Sequence, residues 1–142
     1  MTRNNPETQF KRAVTDSYDG FFRRIEYGRG GDPGAPDLLL GTIDGWLPAE
    51  IKIGAIEDGV LWTSNIRPSQ LKFARESSAA GFPAIFLVGV QEVTHWRCFV
   101  FNAVLANQFD SIGFVIGKDC FELDMNNLSD EIDNFIVREF DE

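Results

Sequence analysis

The chain is poor in the residues that build the commoner catalytic and metal centres. It holds one histidine, His95, and two cysteines, Cys98 and Cys120, in 142 residues. With no CxxC pair and a single His, a zinc site lacks ligands. Two well-separated cysteines read most simply as reduced thiols in an intracellular setting. His95 reads as an exposed or hydrogen-bonded histidine, not a catalytic base. No Ser–His–Asp set, P-loop or GxGxxG turn occurs, so the small α/β enzymes built on those motifs find no support. No apolar run approaches the roughly 20 residues of a membrane helix. The opening "MTRNNPETQF" has no apolar h-region, so a secretory signal is not expected. Positive charge is scarce as well: 13 Lys and Arg stand against 22 Asp and Glu, a net charge of −9. Such a balance by itself argues against a nucleic-acid partner.

The distribution of charge changes that argument. Residues 119–142 carry nine acids and one base, Arg138, which is −8 of the −9. The remainder is close to neutral, with six bases within the first 29 residues. One face can therefore meet a polyanion while the acidic C-terminal segment points elsewhere or simply keeps the chain soluble. The length suggests one domain, residues 1–142, that buries roughly 68% of its unfolded surface. Apolar residues make up 44% and include 13 Phe and three Trp. Trp62 and Trp96 read as packing residues.

Periodicity then sets the order of elements. "PETQFKRAVTDSY" repeats Phe10, Ala13, Val14 and Tyr18 at helical spacing, with Pro6 at the start and Asn4 or Asn5 as cap. "FFRRIEYG" (21–28) reads as a strand, and "RGGDPGAP" (29–36) as a Gly/Pro loop. "DLLLGTI" (37–43), a turn at Asp44–Gly45 and "WLPAEIKIG" (46–54) read as a hairpin. Residues 55–65 read as a loop with room for a small strand. "RPSQLKFARESSAAG" (67–81) reads as a helix ended by Gly81. "PAIFLVGV" (83–90) is apolar throughout, as in a strand buried on both faces. "THWRCFVFNAV" (94–104) alternates, and 111–124 holds a turn and one last strand. "LSDEIDNFIVREF" (128–140) is an amphipathic helix with Ser129 as its cap. The fold class expected is α/β: a central mixed sheet of about five strands flanked by helices.

Charges inside two apolar strands need a reason, because buried charge is costly unless paired or metal-bound. In "GAPDLLLGTIDGWLPAEIKIG" (34–54), Glu50 and Lys52 fall on one face of their strand, opposite Ala49, Ile51 and Ile53. Asp37 opens the neighbouring strand after Pro36. A turn at Asp44–Gly45 pairs Ile43 with Trp46 and sets Asp37 beside Ile51 or Lys52. Asp37 and Glu50 then come within the span of one hydrated divalent ion, and two carboxylates with open water positions suit Mg²⁺. The other reading is a solvated strand face.

Pro36-Asp37, twelve intervening residues and then Glu50-Ile51-Lys52 is similar to the PD-(D/E)XK nuclease signature. The glycine-rich loop, "AEIKIG" and "RPSQLKFARESSAAGFPAIFLVGV" resemble the VRR-NUC and archaeal-type Holliday junction resolvase branch, and "HWRCFVF" resembles the strand that follows there. The likeness covers about residues 7–101, with the core at about 7–104; the acidic segment 119–142 departs from it. The resemblance implies a restriction-endonuclease-like core and a Mg²⁺-dependent DNA endonuclease, with Mn²⁺ able to substitute. Branched DNA (a four-way junction or flap) is the implied substrate, and recombination and repair the setting.

In that likeness Asp37 and Glu50 hold the metal, the Ile51 carbonyl completes its shell, Lys52 positions the hydrolytic water, and Gln70 contacts that water or the phosphate. Glu7 on the first helix, or Glu26, joins the site. Arg23, Arg24, Arg29, Arg67, Lys72 and Arg75 are the candidate DNA contacts. Resolving a junction needs two symmetric cuts, which a C2 homodimer supplies. "IFLVGV" and the C-terminal helix are candidate dimer faces or internal core. A cytoplasmic enzyme is expected, in the host cytoplasm if the source is viral or a mobile element. The alternative is a non-catalytic nucleic-acid or protein-binding module with a nuclease-like fold.

Overall fold

Local sequence signals open each helix. In the computed structural model, which describes residues 5–25, 36–63, 66–107 and 113–140, α1 spans Pro6–Ser17 and Asn5 caps it, its side chain accepting from Thr8 N at 2.8 Å. Helix α2 (Pro68–Ala79) starts at Pro68 and ends where Gly81 takes φ +83°, with Phe82 N donating to Ser77 O at 2.9 Å. Only a residue without Cβ adopts that φ cheaply. Helix α3 (Leu128–Phe140) is entered through a 3₁₀ turn at Met125–Asn127. Ser129 is not its cap: the Ser129 hydroxyl donates to Asp19, while Asp124 caps the preceding turn by accepting from Asn126 N.

The strands are β1 (Phe22–Arg24), β2 (Leu38–Thr42), β3 (Gly45–Glu57), β4 (Val60–Thr63), β5 (Ile85–Gln91), β6 (Trp96–Asn102), β7 (Gly113–Val115) and β8 (Phe121–Leu123). They form one mixed sheet, ordered β1-β2-β3-β5-β6-β8, with β4 on β3 and β7 on β4. Among the described strands β3 and β5 run parallel, joined by the α2 crossover, and the other pairings are antiparallel. This is the α/β domain with a mixed central sheet flanked by helices that the sequence predicts.

Eight strands stand among the described residues where about five are expected. The segment 55–65 accounts for part of the difference: Asp58 (φ +53°) and Gly59 (φ +76°) close a tight hairpin, so β3 runs on to Glu57 and β4 returns. The stretch 113–123 carries two short strands.

The β2–β3 turn also differs from expectation. Its centre is Ile43–Asp44, with Thr42 paired to Gly45 (φ +110°) and the Thr42 hydroxyl donating to Gly45 O at 2.7 Å. Trp46 therefore faces Gly41, not Ile43. Relative to a turn at Asp44–Gly45 the pairing slips by two residues. An even slip leaves every side chain on its expected face, since the side-chain period is two.

Two apolar layers cover the sheet. On one face α1 and α3 bury Phe10, Val14, Ile132 and Phe135 against Leu38, Leu40, Ala49, Ile51 and Leu87. On the other, Ala74 of α2, Leu61 and Phe114 pack on Phe86, Val88, Phe99 and Phe101. Residues 85–90 of β5 are buried throughout, and Leu128, Ile132, Phe135 and Ile136 of α3 are core. Both sequence-level candidates for a dimer face are thus used internally. The acidic helix α3 lies on the α1 face.

Gly89 on β5 sits directly under the Phe10 ring, and a Cβ there would be driven into it. Gly89→Ala is expected to lower unfolding free energy by about 1–3 kcal/mol, the scale of overpacking. Urea denaturation measures this, and adding Phe10→Leu should recover part of the loss because the two sites share one contact.

Candidate metal and phosphodiester site

Strand β3 changes partners along its length. Its ladder to β2 ends at the pair Leu38–Ala49, and its ladder to β4 begins at Gly54–Thr63. Between them Glu50, Ile51, Lys52 and Ile53 pair with β5 on one side only, among the described residues. Backbone groups left without a strand must find other partners. The Asp37 carboxylate takes the role of a strand carbonyl, accepting from Ile51 N at 2.9 Å. The Thr63 hydroxyl donates to Ile53 O at 3.0 Å. The next step of the β2–β3 register puts Asp37 opposite Glu50, and the Ile51 carbonyl points to the same flank as its N–H.

Glu50 and Lys52 project from β3 onto the face of their cross-strand neighbours Phe86 and Val88, both core residues. That placement buries them: Glu50 is 8% exposed and Lys52 4%. Gln70, 3% exposed, comes from the first turn of α2. Its Oε1 accepts from Arg67 N at 3.0 Å and its Nε2 donates to Glu50 Oε1 at 2.9 Å. Both ends of the amide are engaged, so the helix start holds the carboxyl in place.

The electrostatics follow from this burial. Desolvation, then the hydrogen bond to the Asp37 carboxyl and its charge, push the Glu50 carboxyl up to about 9. Desolvation lowers Lys52, opposed by the charges of Glu7 and Glu50. Glu7, on the first turn of α1, is raised by desolvation and held down chiefly by Lys52. Asp37, Glu50, Lys52, Glu7 and Arg67 thus share one electrostatic neighbourhood.

No group of three or more His, Cys, Asp or Glu able to hold a metal stands among the described residues. The donor set is a carboxylate pair with a backbone carbonyl on the same flank. Such a set fits Mg²⁺, which keeps most of its waters. The proton that Glu50 holds against Asp37 at neutral pH is the charge that a cation would replace.

The candidate DNA contacts separate. Arg23 lies on the Glu50 face of the sheet, its guanidinium 4.3 Å from the Phe21 ring centroid. Arg24 faces α1, donating to the Thr15 hydroxyl at 3.0 Å. Arg75 donates to Asn107 at 2.8 Å, away from Glu50, and Lys72 is exposed on α2. Glu26, Arg29 and the glycine loop lie outside the described residues.

Sequence reasoning passed over Lys11 and Arg12. Lys11 Nζ lies 3.8 Å from Asp37 Oδ1. A cavity of about 210 Å³ beside it is lined by Thr8, Lys11, Arg12, Arg24 and Ile25. The available signal was spacing, since Glu7 and Lys11 are one helical turn apart and share a face.

No protein-family model matches the chain, nor does any of the curated proteins compared with it. Among solved structures it is similar to Hjc of Archaeoglobus fulgidus, described as a Holliday junction resolvase from an archaeal hyperthermophile. The identity is 19%, the match covers 90% of this chain and 98% of that one, and the TM-score is 0.48.

The raised Glu50 carboxyl has a consequence for stability. In the folded, metal-free chain it keeps its proton to about pH 9, whereas the unfolded chain releases it near 4.5. Across that window the unfolded state binds fewer protons, so stability falls as pH rises. Glu50→Gln removes the ionisation. It should raise the unfolding free energy of the metal-free protein at pH 8 by about 1–3 kcal/mol, with little gain at pH 4.5. Thermal melts in EDTA across pH 4.5–8 measure the difference.

Proposed function

We propose that this protein is a divalent-metal-dependent DNA endonuclease that hydrolyses phosphodiesters in branched DNA. The observation that carries the reading is the meeting of the Asp37 and Glu50 carboxyls beside the buried Lys52, in the stretch of β3 between its β2 and β4 ladders where no strand among the described residues pairs on that flank. A binding module has no need of two carboxyls and a buried ammonium gathered at one point of a strand.

Asp37, Glu50 and the Ile51 carbonyl would hold Mg²⁺ or Mn²⁺. When bound, the ion supplies a water deprotonated at neutral pH and neutralises charge on the phosphate. Asp37 is positioned by Ile51 N–H and by Lys11. Gln70 fixes the orientation of Glu50. The Lys52 ammonium, next on the same strand face, orients the nucleophile and offsets the negative charge that grows on the phosphoryl oxygens. Its lowered pKa suits a group that exchanges a proton with water during turnover. The leaving oxygen departs on the side opposite the nucleophile. Lys11, Arg12 and Arg24 line a cationic hollow beside Asp37 for a neighbouring phosphate, on the same face of the sheet as α3 and opposite Glu50. Paired cuts across a four-way junction would take two copies related by a two-fold axis.

Cleavage of linear duplex, flap and four-way junction DNA with Mg²⁺, Mn²⁺ or EDTA is the direct test. Lys52→Ala should cut the rate by roughly 10²–10³, the scale of removing one preorganised charge-stabilising group, with DNA affinity nearly unchanged. Lys52→Arg should not restore it, since a planar guanidinium does not replace a compact ammonium. A Lys52→Ala protein cleaving at the wild-type rate would overturn the mechanism. In calorimetry, Asp37→Asn and Glu50→Gln should each abolish Mg²⁺ or Mn²⁺ binding.

The charge layout has its own test in the salt dependence of DNA binding. Arg12→Gln and Arg24→Gln should each reduce the slope of log K against log salt by up to about 0.9. Asp130→Asn with Glu131→Gln should leave the slope unchanged; the reverse pattern would put DNA on helix α3 in place of the α1 hollow.

A further inference from the structure

The carboxylate pair occupies one end of its sheet face, and the other end is aromatic and open to solvent. Trp46, Pro48, Glu50 and Lys52 alternate onto the same side of β3. Trp46 is 49% exposed, and Phe21 and Phe82 are 58% and 67% exposed. Gly41 is the reason the first two rings meet. It is paired to Trp46 and donates its N–H to Phe21 O, and with no side chain between them the Phe21 and Trp46 centroids approach to 5.5 Å. Arg23 sits on the outer face of Phe21. From Trp46 a trough of about 370 Å³ opens between β3 and α2, walled by Pro48, Phe73, Phe82 and Pro83 and edged by Glu76. Pro48 and Phe73 also line the small void against Glu50 and Gln70, so the trough and Glu50 share two walls. Four residues of strand separate Trp46 from Glu50, about 13 Å.

We propose that this trough stacks an unpaired nucleobase of the DNA strand bound at the Asp37–Glu50 pair, with Arg23 on its backbone. This rests on the nuclease reading and adds the substrate class: DNA with unpaired nucleotides at the branch, such as a flap or splayed arm, in preference to a fully paired junction. Flat aromatic walls beside a cation match the two parts of a nucleotide, a π-face and a phosphate. The cation rides on the ring itself, so one unit presents both. Glu76 on the opposite edge repels phosphate and accepts hydrogen bonds from base amino groups, which sets the strand direction across the trough. A base inside a duplex reaches the trough only after unstacking, which costs a few kcal/mol; a base already free does not bear that cost. A second copy of this chain is the competing occupant. The trough is concave and lies on the Glu50 face of the sheet, and the exposed Arg23 beside it fits a polyanion better than another chain of charge −9.

The test uses the full chain in EDTA, so that no cleavage intervenes, titrated into a single-stranded oligodeoxynucleotide carrying 2-aminopurine. Stacking should quench the 2-aminopurine emission. Trp46→Ala and Phe82→Ala, on separate elements, should each weaken single-strand binding roughly 5- to 100-fold, the scale of one base–aromatic stack, and leave duplex affinity within about twofold. Trp46→Phe should retain most of the binding. With Mg²⁺, Trp46→Ala should lower the flap-to-duplex ratio of kcat/KM by a similar factor.

Single-strand affinity unchanged in both alanine variants would overturn the proposal. So would sedimentation in which Trp46→Ala converts a dimer to monomer without altering single-strand affinity, which would make the patch a chain–chain interface. A wild-type protein that cleaves no DNA with either metal defeats the nuclease reading instead, and the EDTA titration still decides whether the trough binds a base.

Discussion

The arrangement depends on one interruption in a β-ladder. Strand β3 is hydrogen-bonded to β2 over its first part and to β4 over its last, and between them four residues have no strand on that side among those described. A carboxylate accepting from Ile51 N–H substitutes for the absent strand. That substitution holds Asp37 at the sheet's flank and opposite Glu50, and it leaves room for a ligand where a strand would have been. Had β2 continued, ladder hydrogen bonds would have occupied the space, and neither carboxylate could reach a phosphate.

Burial makes this window chemically unusual. Glu50 and Lys52 lie among Phe86 and Val88, so each is pushed toward its neutral form. A fold stabilised by only about 5–15 kcal/mol tolerates such groups where their interactions serve another purpose. The Arg67–Gln70–Glu50 chain of hydrogen bonds shows the accommodation: a helix N-terminus uses its capping residue to satisfy a carboxyl on the neighbouring strand. The same residue pattern at the start of a free helix would have capped only itself.

Net charge hides a local separation of charge. Helix α3 covers one apolar layer with Ile132, Phe135 and Ile136, and turns its acids outward on that side. Lys11, Arg12 and Arg24 gather by Asp37, and Arg23 lies on the Glu50 face. Charges beyond about 8–10 Å are largely screened at physiological salt, so the local layout governs contact with a polyanion more than the total of −9 does.

Much of this is legible in the residues alone. The cap at Asn5, the helix start at Pro68, the stop at Gly81, the apolar β5 and the shared face of Glu50 and Lys52 all follow from local stereochemistry, which the chain carries wherever it goes. The face assignment survived a misplaced turn because an even slip preserves side-chain alternation. Other features are decided only by distant segments meeting. The approach of Asp37 to Glu50 depends on where β2 ends relative to β4, a matter of strand length and partner. The Lys11–Asp37 pair joins a helix to a strand 26 residues away. The aromatic trough needs Trp46, Phe73 and Phe82, from three separate segments, around one hollow, and the Phe21–Trp46 contact beside it needs Gly41 to leave a gap. Periodicity along a chain reports which way a side chain points. What it points at is set by packing, because contacts between remote segments depend on the register and handover of whole strands.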